Sequence, residues 1–176
     1  PADLMAPATG IYSNPLASGE SWERAVSMEL IDPVKGQLLQ VNAGLRLSGG
    51  TSRDPANTPK HSFRIYFKNE YGPTVLDEPL FAEPGEQRFD RLELRAGLQD
   101  SWLQPDAALR QSTVLLRDQW VRETLLEMGQ PAARGRFVHL YLNGLYWGVY
   151  NLSESIDDGF AGIRFGGSKS DYDVID

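Results

Sequence analysis

The chain has 176 residues, 41% of them hydrophobic, and a formal charge of −7 from 24 acidic and 17 basic residues. That suffices for one domain with a hydrophobic core, and the acidic balance removes the broad basic field a nucleic-acid or anionic-membrane binder needs. With no cysteine and only two histidines, His61 and His139, a disulfide framework, a thiolate metal site, a cysteine nucleophile and a His-rich metal site are all excluded. No run approaches the roughly 18 apolar residues of a membrane span, so no membrane insertion is expected.

Residues 1–20 hold several turn formers, Gly10, Asn14, Pro15 and Gly19, and read as an extended arm before a single domain over 21–176. Trp22 to Ile31 alternates as a strand, Gly36 supplies a turn, and Leu38 to Leu47 reads as its antiparallel partner. Ser48 to Lys60 is rich in Gly, Pro, Ser and Asn and must be a loop. In the strand that follows, His61 to Phe67, Phe63, Ile65 and Phe67 point one way, while Ser62, Arg64 and Tyr66 point the other.

Asn69 to Asp90 is a long irregular connection, of the kind that is either a functional flap or a surface excursion. Arg91 to Arg95 is a short strand. One helix is predicted from about Thr113 to Met128, capped by Ser112 or Thr113 and stopped by Gly129 and Pro131. Its apolar stripe, Val114, Val121, Leu125 and Met128, is expected to face the core, and Arg117 and Asp118 lie on that same stripe.

The sharpest signal is RFVHLYLNGLYWGVYNLSESID, Arg136 to Asp157. Asn143-Gly144 suits the two positive φ angles of a type I′ turn, and apolar runs flank it. Both arms carry large apolar groups on both faces, as expected of a strand pair covered on both sides. Gly148 leaves a gap where a backbone, a ring or a ligand can approach. The segment from Asp157 to Asp176 reads as loop or short helix.

The order of these parts, glycine loop, basic strand, long connection, helix with charge, aromatic hairpin and polar exit, is that of the small lobe of a protein kinase. The corresponding residues are Gly49-Gly50 through Arg53, then Lys60 or Arg64, then Asp118, then Asn151 to Glu154. Loop glycines before a basic strand also occur in many unrelated β-rich domains, so spacing alone does not decide. GxGxxG, VAIK, HRD, DFG and Walker A sequences are missing, which excludes a classical protein kinase; no GxSxG occurs either. Asp157-Asp158 and Asp171/Asp173 read as solvated loop acids, and the triplet Asn151-Leu152-Ser153 as an accidental glycosylation match.

LRLSGGTSRDPANTPKHSFRIYF, LRAGLQDSW, LRDQWVRETLLEMGQPAARGRFVHLYLNGLYWGVYNLSESID and FGGSKSDYDVID together resemble the CotH family, atypical secreted-type kinases named for a spore-coat protein. The resemblance implies a fold like the N-terminal lobe of an atypical kinase, with ATP and Mg²⁺ or Mn²⁺ supporting phosphoryl transfer to Ser residues of partner proteins. The expected architecture is α+β, a mainly antiparallel twisted sheet with one principal helix packed on it. The resemblance makes Lys60, Arg64 and Arg53 nucleotide-side contacts, with Lys60 favoured although the family often has a second lysine where this chain has His61. It makes Arg117 and Asp118 an orienting ion pair and Glu154 a hinge residue. The catalytic and metal-binding acids of such kinases lie in a second lobe, expected beyond Asp176, so this lobe is expected to be inactive alone. The resemblance also implies a secreted or cell-envelope location. The alternative is a noncatalytic surface or coat module that binds protein or polysaccharide.

Overall fold

The computed structural model describes residues 2–34, 36–82 and 85–175. Its strands are β1 (Arg24–Asp32), β2 (Gln37–Ser48), β3 (Ser62–Tyr66), β4 (Leu76–Asp77), β5 (Arg88–Phe89), β6 (Arg91–Arg95), β7 (Gly135–Leu142) and β8 (Leu145–Glu154). Six of them form one sheet in the order β1-β2-β3-β6-β8-β7, every neighbouring pair antiparallel, while β4 and β5 make a separate short ribbon. Among the described residues the α-helices α1 (Ala2–Met5), α2 (Ala107–Gln111), α3 (Arg117–Glu127) and α4 (Asp158–Phe165) complete the α+β class expected. The sheet curls until Arg136 on the β7 edge meets Asp32 at the end of β1, 3.4 Å apart.

The hairpin forms as its turn residues dictate: Asn143 and Gly144 have φ of 51° and 79°, and Leu142 faces Leu145. After Tyr141 and Tyr146 the register slips by one, so that Leu140 faces Gly148 and Trp147 is the extra residue of a bulge. Gly148, with φ of 117°, supplies the backbone angle that the bulge needs. The bulge also decides what lies at the far end of the arms: it sets Gly135 against Ser153, and the Glu154 N–H donates to the Arg134 carbonyl.

One sheet face is the core, built from Leu45, Phe63, Ile65, Leu92, Leu94 and Leu152. The long connection after β3 closes that core, bringing Leu76, Leu80, Phe81 and Phe89 beneath the sheet. It is thus more than a surface excursion. The first twenty residues are also fastened down: Ile11 is buried in the core, and the Tyr12 hydroxyl donates to the Pro59 carbonyl.

Three expectations are corrected here. The hairpin is not covered on both sides, because Phe137, Tyr141, Tyr146 and Val149 are exposed while Val138, Leu140 and Leu142 pack toward the core. The apolar stripe of α3 does not face inward: Val114, Val121, Leu125 and Met128 are all exposed, and the helix buries Gln119 and Arg122 instead. The helix is also shorter at its start than expected. Leu115 has φ of 63°, which breaks the path, and the Asp100 carboxylate, rather than Ser112 or Thr113, accepts the Val114 and Arg117 N–H groups.

Candidate functional site

Antiparallel pairing carries one polar row across the face opposite the core. Arg46 faces Arg64, Arg64 faces Glu93, Glu93 faces Ser153, and Ser153 faces Gly135. Paired residues share a face, so these positions form one row. Glu93 accepts from Arg64 Nε at 2.9 Å and from the Ser48 hydroxyl at 3.4 Å. Burial opposes the charge on Arg64, but the hydrogen bond and charge of Glu93 outweigh it and hold the guanidinium above its ordinary pKa.

From Glu93 the ion chain continues to the helix. Arg95 lies 3.9 Å from Glu93 and 3.5 Å from Asp118, and Asp118 lies 3.0 Å from Arg122. Arg122 Nη2 donates to Asn151 Oδ1 on β8 at 2.5 Å, Asn151 donates to Gln119, and Gln119 donates to the Gly135 carbonyl at 2.9 Å. A Cβ on Gly135 would sit 2.6 Å from Gln119 Oε1, so only glycine lets the helix come this close.

At the other end of the row is a cavity of about 200 Å³, lined by Gly49, Arg46, Arg53, Arg64, Trp22 and Tyr66 among others. Three guanidinium groups line it and no carboxylate does. Arg46 is held by Glu23 at 2.5 Å and lies 4.4 Å from the Tyr66 ring centroid. Arg53 donates to the Ala17 carbonyl, while its buried Nε has no hydrogen-bond partner. Such a lining suits a phosphate group, which accepts from guanidinium forks and offsets their charge.

The structure separates the six residues named from sequence. Arg53 and Arg64 share this cavity, and Asp118 connects to Arg64 through Arg95 and Glu93. Lys60 lies elsewhere: its ammonium donates to the Val149 carbonyl at 2.5 Å and sits 4.3 Å from the Tyr150 ring centroid, over the space left by Gly148. Burial holds its pKa below the usual lysine value, with no carboxylate among the described residues acting against it. Arg117 turns away to Asp100 at 3.8 Å, so it does not act with Asp118 on the strand cations. Glu154 points inward to Arg134 at 2.6 Å.

Sequence reasoning missed Arg46, Glu93, Arg95 and Arg122, and it named Asn151 only as the start of a hinge. Alternation sets Arg46 on the face opposite Leu45 and Leu47, and Glu93 on the face opposite Leu92 and Leu94, but their place beside Arg64 follows only from the pairing of β3 with β2 and β6. No group of three or more His, Asp or Glu side chains placed to hold a metal ion occurs among the described residues, and no helix there is long and apolar enough to cross a membrane.

A curled antiparallel sheet with a polar face, a helix tied to that face and an arginine-lined cavity beside a glycine loop define an α+β domain. The family described as CotH kinase protein matches residues 45–175, roughly three-quarters of the chain. The chain belongs to the CotH family. A comparison with curated proteins finds no match.

Proposed function

We propose that this domain is the nucleotide-side lobe of a CotH-like protein kinase, and that the cavity at Arg53 and Arg64 receives the phosphates of ATP. The observation that carries the reading is the lining: three guanidinium groups, no carboxylate, and a buried Arg53 Nε without a partner. An unpaired buried donor is costly, and a bound oxyanion relieves it. Trp22 and Tyr66 offer aromatic surface beside these groups. Membership in the CotH family supports the same reading.

In this reading Arg64 and Arg53 contact phosphate, and Glu93 orients Arg64. Lys60 is committed to β8 by the Val149 carbonyl and is not a phosphate ligand. ATP, when bound, supplies the phosphoryl group for Ser residues of a partner protein in the secreted or cell-envelope setting the family suggests. The described residues offer no donor set for Mg²⁺ or Mn²⁺, so the reading takes the metal-binding and catalytic acids from a second lobe. The domain alone then binds nucleotide without transferring phosphate.

Calorimetric titration with ATP, ADP and adenosine tests this. Arg53→Ala and Arg64→Ala should each weaken ATP about tenfold or more and leave adenosine little changed, since each removes a charge-assisted contact. ATP binding unchanged in both variants would sink the proposal. The noncatalytic alternative draws on the exposed Phe137, Tyr141 and Tyr146 of the hairpin, which suit a protein or polysaccharide surface. Loss of polysaccharide or protein binding on Tyr141→Ser, with no response to ATP, would favour it.

A further inference from the structure

A second cavity of about 240 Å³ lies at the exit of β8, between β5 and α4, and it shares no lining residue with the first. Arg134 is its central group. The side chain is 2% exposed; Nη2 donates to Glu154 at 2.6 Å and to the Glu86 carbonyl at 2.7 Å, while Nε and Nη1 have no hydrogen-bond partner. Three N–H bonds of one buried guanidinium are therefore without an acceptor. Gly85 lies beside Nη1: a Cβ built there would stand 3.8 Å away.

Most of the charges around it are paired with one another. Arg91 is met by Asp157 at 3.2 Å and Asp158 at 3.0 Å, Asp90 by Lys169 and Arg91, and Arg88 by Glu86 at 3.4 Å. Arg164, at the end of α4, donates to the Ala132 carbonyl and lies over the Phe160 ring, with no carboxylate partner among the described residues. A water molecule can satisfy one donor of Arg134 but leaves the Arg164 charge standing. An anion answers both.

We propose that this cavity binds a small oxyanion, phosphate or carboxylate, which accepts from Arg134 and is charge-matched by Arg164. The site is independent of nucleotide binding at Arg53 and Arg64, so either proposal can fail without the other.

The test is calorimetry and thermal unfolding of the chain with sodium phosphate, sodium acetate and sodium chloride at matched ionic strength. Phosphate should bind saturably and raise Tm where chloride does not, and an equal response to acetate would assign carboxylates to the same site. Arg164→Gln, which leaves the Arg134–Glu154 pair intact, should weaken the anion about tenfold. Arg134→Lys, which keeps a charge opposite Glu154 with fewer donors, should weaken it too, and Arg53→Ala should leave it unchanged. A phosphate response no larger than that of chloride overturns the proposal. So does binding that survives Arg164→Gln and Arg134→Lys but disappears in Arg53→Ala.

Discussion

Arg122 on α3 donates to Asn151 on β8 at 2.5 Å, and both side chains are buried. The helix is thus docked to the sheet by hydrogen bonds rather than by an apolar seam. Burial holds Arg122 below its ordinary pKa even with Asp118 beside it, which marks how far the guanidinium has been taken from water. Arg122→Leu should cost about 2–4 kcal/mol, because it strands Asn151 and Gln119 as buried groups that lose their partner. Urea unfolding followed by circular dichroism measures it. A loss under about 0.5 kcal/mol, the size expected of an ordinary surface change, would mean the network does not hold the helix.

The opposite face of the same helix makes the contrasting prediction. Trp120 and Met128 are 65% and 67% exposed, so Trp120→Gln and Met128→Gln should change stability by no more than about 0.5 kcal/mol. They should also raise solubility, since they shrink an exposed apolar surface. If Met128→Gln unfolds with a cost above about 2 kcal/mol, the stripe packs inward and the helix is oriented as its sequence first suggested.

Gly135 tests the approach distance. Alanine there places a methyl group 2.6 Å from Gln119 Oε1 and 3.1 Å from Asn151 Oδ1, so the helix or the Gln119 amide must shift. The expected cost is about 1–3 kcal/mol, as for other overpacked sites, with faster hydrogen exchange in α3 than in β2 and β3. Uniform exchange across all elements would argue against a local origin.

These residues also mark what the sequence could and could not reveal. The β7–β8 hairpin was legible because Asn143-Gly144 admits few other conformations, and β3 because Phe63, Ile65 and Phe67 alternate with polar residues. The face of α3 was not. Gln119, Arg122 and Asn151 each look like solvent-facing residues in isolation, and only their mutual hydrogen bonds make their burial tolerable. A pattern of apolar spacing therefore pointed the helix the wrong way round. Likewise the Arg134–Glu154 pair depends on the one-residue slip at Trp147; an unbulged hairpin would set Arg134 opposite Ser153. On the polar face, Arg64 was found because it stands in a clear strand, whereas Glu93 needed the pairing of β3 with β6, a contact distant in sequence.

Glu23 gives the acid sensitivity of the cavity's rim. Its burial favours the neutral acid, yet hydrogen bonds from Lys68, Tyr71 and Arg46 prevail and hold its pKa below the ordinary value of 4.5. A carboxylate depressed on folding contributes stability above its unfolded pKa and loses it as pH falls through the lower folded value. Glu23→Gln should therefore lower Tm at pH about 7, with the gap to wild type closing as pH falls below about 4.5. The difference between the two Tm curves is the informative quantity, because other acids titrate in both proteins. A gap that stays constant to pH about 3 would show that packing, not charge, sets the role of Glu23.

Gly148 joins the hairpin's register to the placement of Lys60. At φ of 117° a side chain is strained whatever the space around it, and an added Cβ would stand 3.7 Å from Lys60 Cε. The contact is ordinary, so the penalty of Gly148→Ala should be mainly backbone strain, about 1–3 kcal/mol. Gly144→Ala, at φ of 79° with open space around it, supplies the control for strain in the turn alone. If Gly148 matters only for the bulge, Lys60→Met in the Gly148→Ala background should add its own separate cost; double-mutant coupling within about 0.3–0.5 kcal/mol of zero is the expected result. Coupling beyond about 1 kcal/mol would instead mean that the ammonium and the glycine act as one packed unit over Tyr150.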